Sequence, residues 1–312
     1  MNRAIDCIVA DWGTTNRRAW ALTGAGEVVA ERYDGEGLLA VGSGGFAVSF
    51  AAFCRDWLAE AGQVPVIMSG MVGSKLGWRE IPYRMAPVAL SELAQHLVCA
   101  DDIGGVKVWI VPGVALDDPS QPEVMRGEES QILGALLVSD RRDGVFLLPG
   151  THSKWVIVAD GRITAFRTYM TGELFGLLRK SGTLSQLMVD DAVDEAAFQR
   201  GVERAAAPDA ASLLHSLFSV RSLGLFDRLP RQSLASYMSG LMIGAEIQDA
   251  LRWLQSAGAT GRVTAIGSPL LLASYRSAAM QSALDIDMLD SADLLPLALL
   301  SMARAAGLLR SR

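Results

Sequence analysis

The 312-residue sequence predicts an α/β protein made of two similar halves. Two observations carry that expectation. Short apolar runs of strand length alternate with segments whose apolar residues recur at helical spacing. A strand ending in Gly-Thr also occurs twice, in ADWGTTNRRAW at 10–20 and in LLPGTHSKWVIVADG at 147–161. Gly13 pairs with Gly150, Thr14 with Thr151, Arg17 with Lys154 and Gly24 with Gly161, each at an offset of about 137 residues, and a fixed offset is the mark of internal duplication. The length suits two domains of the usual size, roughly 100 to 200 residues each, and the expected division is 1–141 and 142–312.

The first half opens with three predicted strands, 5–10, 17–22 and 28–33, separated by glycine turns. GSGGF at 42–46 lacks the G-x-G-x-x-G spacing of a dinucleotide fingerprint and reads as a flexible loop before a helix. That helix, 46–61, carries Phe46, Phe50, Phe53, Trp57 and Leu58 as a core stripe. VPVIMSGMVGSKLGWREIPY at 64–83 reads as a strand entering a glycine-rich loop. Gly70, Gly73 and Gly77 permit close backbone approach there, and Met71, Trp78 and Tyr83 are candidates to line a pocket. It does not fit the Walker A pattern. An Ala-rich helix, a strand at 106–111 and a helix within 122–140 complete the half. The second half begins with strands at 145–148, 154–159 and 163–169 and then turns mostly helical. Gly240 and Gly244, one helical turn apart, admit a closely packed helix, and RVTAIGSPLLLASYRSAAM at 262–280 reads as strand, Gly-Ser and helix, with Ser268 and Pro269 suited to its start.

Bulk properties narrow the function. Half the residues are hydrophobic and a fifth charged, as in globular proteins. A net charge of −6 without clustered Lys and Arg argues against a nucleic-acid surface, while an anionic small substrate needs only one or two local Arg. Three scattered cysteines, Cys7, Cys54 and Cys99, suggest neither a disulfide framework nor a zinc site. Arg3 and Asp6 interrupt any signal core, and the apolar stretch 294–309 contains Pro296 and Arg304 and is short for a membrane span. The expectation is a cytoplasmic protein with a buried C-terminal helix and no membrane partner. A homo-oligomer stays open.

Paired hairpin tips rich in Gly and Thr offer backbone N–H groups and hydroxyls to phosphate oxygens. Asp11, whose counterpart is Leu148, adds a carboxylate to the first tip alone. Its natural task is to hold Mg²⁺ through water, since Mg²⁺ prefers oxygen and keeps its hydration shell. The plain alternative is a turn cap.

These features resemble the sugar kinase, hsc70 and actin superfamily. In order along the chain, DWGTTNRRAW, SGMVGSKLGW, VMRGEESQILGA, LPGTHSKWV, MTGEL and SGLMIGAE are similar to the 2-dehydro-3-deoxygalactonokinase family. The resemblance implies two actin-like (ribonuclease H-like) domains with an ATP cleft between them. It also implies Mg²⁺ and ATP-dependent phosphorylation of the 6-hydroxyl of 2-dehydro-3-deoxy-galactonate. Asp11, Gly13, Thr14 and Thr15 then form the first phosphate loop, and Gly150, Thr151, His152 and Ser153 the second. Gly267 and Ser268 fall at the adenosine element, with Ser268 standing where the family usually has a second glycine.

By the same resemblance the proton-accepting base belongs to GEES, with Glu128 ahead of Glu129. Acidic residues in a helix's first turn are also favoured simply by its dipole. Ser69, Gly70, Met71, Gly73 and Ser74 lie at a strand's end, where α/β sheets bind ligands, or form a structural turn. Arg17, Arg126 and Arg167 are the candidates for the substrate carboxylate, each alternatively a surface or interdomain ion pair. A kinase for another sugar or sugar acid, such as the gluconate epimer, is the neighbouring reading. An actin-like ATPase or a sugar sensor is the non-metabolic one, although only ten residues precede Asp11 where a sensor would carry a DNA-binding module.

Overall fold

The structure is a computed structural model. It describes residues 4–41, 45–189, 193–207, 212–282 and 284–309, so most of the GSGGF loop lies outside the described residues. The chain divides into two compact units, one comprising Met1–Asp143, Val158–Phe166 and Ser291–Arg312, the other Gly144–Ile157 and Arg167–Asp290.

In chain order the first half contains β1 (Cys7–Trp12), β2 (Arg17–Leu22), β3 (Val28–Asp34), α1 (Leu38–Val41), α2 (Phe46–Phe53), α3 (Arg55–Ala61), β4 (Val66–Ser69), β5 (Arg84–Met85), β6 (Val88–Ala89), β7 (Val98–Ile103), β8 (Val106–Ile110), β9 (Val114–Leu116), β10 (Glu123–Met125) and α4 (Glu128–Ser139). There follow β11 (Gly144–Leu148), β12 (Ser153–Ala159), β13 (Arg162–Tyr169), α5 (Thr171–Lys180), α6 (Glu195–Ala206), α7 (Leu213–Leu225), α8 (Leu234–Ser256), β14 (Val263–Gly267), α9 (Pro269–Ala279), β15 (Ile286–Asp290) and α10 (Ser291–Ala305).

The duplication is visible in the strand order. One six-stranded sheet runs β3-β2-β1-β4-β8-β7, and another contains the order β13-β12-β11-β14-β15. Antiparallel β1 and β2 give way to parallel β1–β4 and β4–β8 pairings, and β11–β14 and β14–β15 are likewise parallel. Each unit is the actin-like, ribonuclease H-like α/β domain expected from the sequence. The central strands are apolar on both faces because both are covered: Ile8, Val66, Ile67 and Val108 are buried in one unit, Leu147, Val263 and Ala265 in the other.

Several expectations need correction. The helix expected over 46–61 is two helices that break at Cys54, whose backbone leaves helical geometry at φ −112°, ψ 22°. The Ala-rich helix is a 3-10 stretch, Leu90–His96, followed by β7. Trp78, a candidate pocket residue, packs on Phe46, Phe50 and Trp12 and donates to Asp101 Oδ2 at 3.1 Å. The C-terminal helix α10 is buried as expected but belongs to the first unit, which a single cut at 141/142 does not capture. Gly134 of α4 makes room for the α10 backbone, since a Cβ there would come within 2.6 Å of Leu294 O. In the second unit Gly240 and Gly244 of α8 face α6 at close range; Gly244 would place a Cβ 3.1 Å from Val202 Cα. No helix among the described residues is long and apolar enough to cross a membrane.

Candidate active site

In the first unit the ends of β1 and β4, the N-terminus of α4 and the β1–β2 turn converge. Asp11 stands beside Ser69 in the parallel β1–β4 register. The turn is closed by Gly13 N–H donating to Asn16 O at 3.0 Å, and Thr14 and Thr15 are exposed at its tip. The loop's carbonyls are turned inward: Thr15 O accepts from Gly37, Gly13 O from Leu38 and Thr14 O from Leu39. Gly37 is required at this junction, because a Cβ would overlap the Thr14–Thr15 backbone. With its acceptors occupied by α1, the exposed tip is left to present donors, which is the polarity an anion needs.

Glycines likewise build the α4 entry. Gly70 (φ +96°) and Gly127 (φ +111°) adopt conformations that disfavour side chains, and a Cβ on Gly127 would lie 3.2 Å from Gly70 Cα. This brings the SG of β4 against the GEES of α4. Glu128 is half-buried and accepts Arg126 N–H at 2.9 Å. Glu129 is fully buried, accepts Gly127 N–H at 2.8 Å and meets Ser130 Oγ at 3.2 Å and Ser69 Oγ at 3.5 Å. The two neighbours therefore differ in kind. Burial, then the adjacent Glu128 charge, pushes the Glu129 carboxyl up to about 8, so it is a neutral acid at neutral pH. Asp11 is pushed up to about 6 by burial and by Glu128, with Arg18 opposing.

An excess of carboxylate at the Asp11–Glu128 pair is what a cation would relieve, so the residues fit Mg²⁺ accompanying a phosphate ligand. Among the described residues no group of three or more His, Cys, Asp or Glu could hold a metal ion.

The structure separates the three arginines. Arg17 is buried and committed: it pairs with Asp34 through two bonds of 2.9 Å, reaches Glu36 at 2.9 Å and Ser49 Oγ at 2.6 Å, and lies over Trp12 and Phe53. Arg167, in the second unit, is half-exposed, 3.5 Å from Asp249 and over Trp253. Arg126 is buried, with its guanidinium over Tyr83. Ser69 is wholly buried and hydrogen-bonds Ser130 Oγ at 2.8 Å. Met71 and Gly73 delimit a 3-10 turn, with Ser74 following.

In the second unit Gly150, Thr151 and His152 form the β11–β12 turn, with Thr151 and His152 exposed. Thr151 O accepts from Glu173 N–H of α5 at 2.9 Å, and His152 Nε2 meets Glu173 Oε2 at 2.5 Å. Gly172 backs this loop as Gly37 backs the first, since a Cβ would stand 3.0 Å from Thr151 Cα and overlap Gly150 O. Ser153 is turned away from the tip: it is fully buried and hydrogen-bonds Tyr275 OH at 2.8 Å. Tyr275 donates in turn to Glu246 Oε2 at 2.8 Å; Trp155 Nε1 donates to Glu246 Oε1 at 2.9 Å, and Thr171 Oγ1 also binds Glu246. Gly267 ends β14 in the core, and exposed Ser268 precedes α9 without a side-chain cap bond. Leu270, Ala273 and Ser274 of α9 line a pocket of about 300 Å³ with Phe175, Arg179 and Phe198. A larger pocket of about 550 Å³ lies along Tyr169, Thr171, Glu246 and Asp249, with no residue of α9 in its lining.

Gly37, Gly172 and Glu246 received no role from the sequence. Gly172 and Glu246 were nevertheless inside quoted motifs, MTGEL and SGLMIGAE. Their signal was present, but their partners lie far along the chain.

The family model for 2-keto-3-deoxy-galactonokinase matches residues 11–302. The 2-dehydro-3-deoxygalactonokinase of Escherichia coli (strain K12) is 33% identical over 279 residues, covering 89% of this chain and 91% of that protein. A Rhizobium meliloti (strain 1021) protein named a probable 2-dehydro-3-deoxygalactonokinase is 35% identical, covering 95% of each. A solved structure from Sinorhizobium meliloti superposes with a TM-score of 0.87 at 34% identity, over 96% of this chain and 98% of that one. Component A of (R)-2-hydroxyglutaryl-CoA dehydratase from Acidaminococcus fermentans shares the fold, with a TM-score of 0.53 at 13% identity, over 97% and 100% of the chains. This chain belongs to the 2-keto-3-deoxy-galactonokinase family.

Proposed function

We propose that this protein uses ATP to phosphorylate the 6-hydroxyl of 2-dehydro-3-deoxy-D-galactonate, giving 2-dehydro-3-deoxy-6-phospho-D-galactonate in galactonate catabolism. Membership of the family over nearly the whole chain carries this reading. When bound, Mg·ATP supplies the phosphoryl group and the charge that neutralises its transfer. The chain's own residues position and deprotonate. The Gly13–Thr15 and Gly150–His152 tips offer donors to phosphate oxygens, and Asp11 holds the metal through water.

Glu128 takes the proton of the 6-hydroxyl as that oxygen bonds to phosphorus and ADP leaves. Its half-exposed position beside Asp11 supports this choice over Glu129, which is sealed in the core and holds its own proton. Adenosine fits the pocket lined by α9, where Phe175 and Phe198 supply apolar surface, better than the larger pocket, which no residue of α9 lines.

The test is Mg·ATP-dependent ADP release with 2-dehydro-3-deoxy-galactonate, its gluconate epimer and no sugar in parallel. Turnover with the galactonate form alone is expected. Equal turnover with both would remove the narrow substrate, and turnover without sugar would favour an actin-like ATPase.

A further inference from the structure

Arg126 is an unusual cation for a protein interior. Its residue is 8% exposed, and among the described residues neither Nε nor Nη1 has a hydrogen-bond partner. Nη2 alone is used, donating to Ile81 O at 2.7 Å. Glu129, a carboxyl that feels the Arg126 charge, spends its oxygens on Gly127, Ser69 and Ser130. A guanidinium carries five N–H donors and cannot shed its charge, so leaving donors unmet in the interior costs stability that the fold itself does not recover.

A second unmet group lies on the turn beside it. Ser74 Oγ, on the residue after Gly73, is also buried and without a partner among the described residues. Gly73 joins the two sites: a Cβ there would come within 2.9 Å of Arg126 Nη1, so the guanidinium reaches the turn that carries Ser74 only because residue 73 has no side chain. The guanidinium is covered by Tyr83, whose ring centroid lies 4.3 Å from the guanidinium carbon and whose residue is 38% exposed. Arg126 is also the residue immediately before the α4 entry, so the pair belongs to the same corner of the unit as Glu128.

We propose that Arg126 Nη1 and Ser74 Oγ bind the carboxylate of the sugar acid, with Tyr83 moving aside to admit it, and that this pair makes the enzyme choose acids over neutral sugars. The proposal rests on the sugar-acid kinase reading above. A carboxylate supplies the acceptors and the counter-charge that both groups lack, whereas a neutral sugar hydroxyl supplies neither charge nor two acceptors.

The test compares wild-type protein with Arg126→Gln, Arg126→Lys and Ser74→Ala, measuring kcat and KM for the sugar acid, for its neutral carboxamide and for ATP, with melting curves to confirm folding. Arg126→Gln should raise the KM for the acid roughly 30- to 100-fold, the range expected for a charge-assisted contact. Its kcat, its KM for ATP and its kcat/KM for the carboxamide should stay within threefold of wild type. Arg126→Lys should recover part of the loss, and Ser74→Ala should cost roughly 5- to 10-fold in KM for the acid alone. Two results overturn the proposal while leaving the kinase intact: an unchanged KM for the acid in a folded Arg126→Gln, or equal losses for acid and carboxamide. If Arg126→Gln does not fold, Arg126→Lys and Ser74→Ala decide by the same criteria. Wild-type protein that does not turn over the sugar acid would remove the kinase reading, and this proposal with it.

Discussion

Replacing Gly70 by Ala adds one methyl group where β4 hands the chain to the Met71–Gly73 turn. The new carbon would lie 2.8 Å from Asp11 Oδ1 and 2.8 Å from Trp12 O, about half an ångström inside ordinary contact. The carboxylate can swing away, but Trp12 is fully buried and its carbonyl belongs to a paired strand. Gly70 also has φ +96° and ψ −162°, a region reached almost only by glycine, and holding Ala there costs about 1–3 kcal/mol before any overlap is counted. Overpacking adds about 1–3 kcal/mol. The variant should therefore lose roughly 3 kcal/mol of stability. Its kcat/KM for Mg·ATP should fall about 100-fold, because the displaced group is the Asp11 carboxylate. Denaturant unfolding and steady-state ADP release measure the two effects. Gly176→Ala is the control: nothing lies within 4 Å of its would-be Cβ and it sits inside α5, so Ala should leave activity unchanged and add up to ~1 kcal/mol. If Gly70→Ala matches wild type in both measurements, the claim that this glycine positions Asp11 is wrong.

Glu128→Gln should lower kcat by about 10²–10⁴-fold with little change in KM, whereas Glu129→Gln, isosteric with the neutral acid, should keep most activity; the reverse ranking would exchange their roles. Glu129 also sets a pH dependence. Its folded pKa is raised from the ordinary 4.5 to about 8, so between those values the native state holds a proton that the unfolded chain has lost. Stability should thus fall as pH rises from 4.5 to 8, by at most ~1.4 kcal/mol per pH unit from this group, and unfolding of Glu129→Gln at pH 5 and pH 8 should show a shallower decline. Asp11→Asn should raise the melting temperature without Mg²⁺, by relieving the charge conflict with Glu128, while weakening Mg²⁺-dependent turnover; a lowered melting temperature would contradict the conflict, and an unaltered Mg²⁺ response would remove Asp11 from the site.

The strands were legible because each is a short apolar run bounded by turn residues: 17–22 matches β2 residue for residue, and the other opening strands differ only at their ends. The duplicated turn was legible as well, since a fixed offset survives sequence divergence. What local pattern could not show was where continuity breaks. Phe46, Phe50, Phe53 and Trp57 form an unbroken helical stripe on paper, yet the backbone turns at Cys54. Leu90, Leu93 and Ala94 have helical spacing, but the segment winds as a 3-10 turn and ends at β7. Partnership was equally invisible. All three candidate arginines stand beside motifs, and only tertiary contacts distinguish committed Arg17 and paired Arg167 from Arg126, whose Nε and Nη1 stay unmet among the described residues.

The two repeats have kept the same strand order while placing their buried carboxylates differently, and this divergence explains why duplicate loops need not do duplicate chemistry. At the equivalent position the first repeat has Asp11 and the second has Leu148, which is packed in the core. In the proposed function the first loop therefore presents phosphate donors beside a carboxylate suited to a metal, while the second presents donors alone. The second unit's buried acid is Glu246, set back on α8, where its bonds to Trp155, Thr171 and Tyr275 tie β12, α5 and α9 together behind the loop. Burial raises its proton affinity and those bonds work against the rise. Ser153 follows the same logic: its position in the motif suggests a phosphate contact, but its hydroxyl joins Tyr275 in that network and so fixes the start of β12. The loop's rigidity is thus supplied from behind by a polar core, and its exposed tip is left to Thr151 and His152.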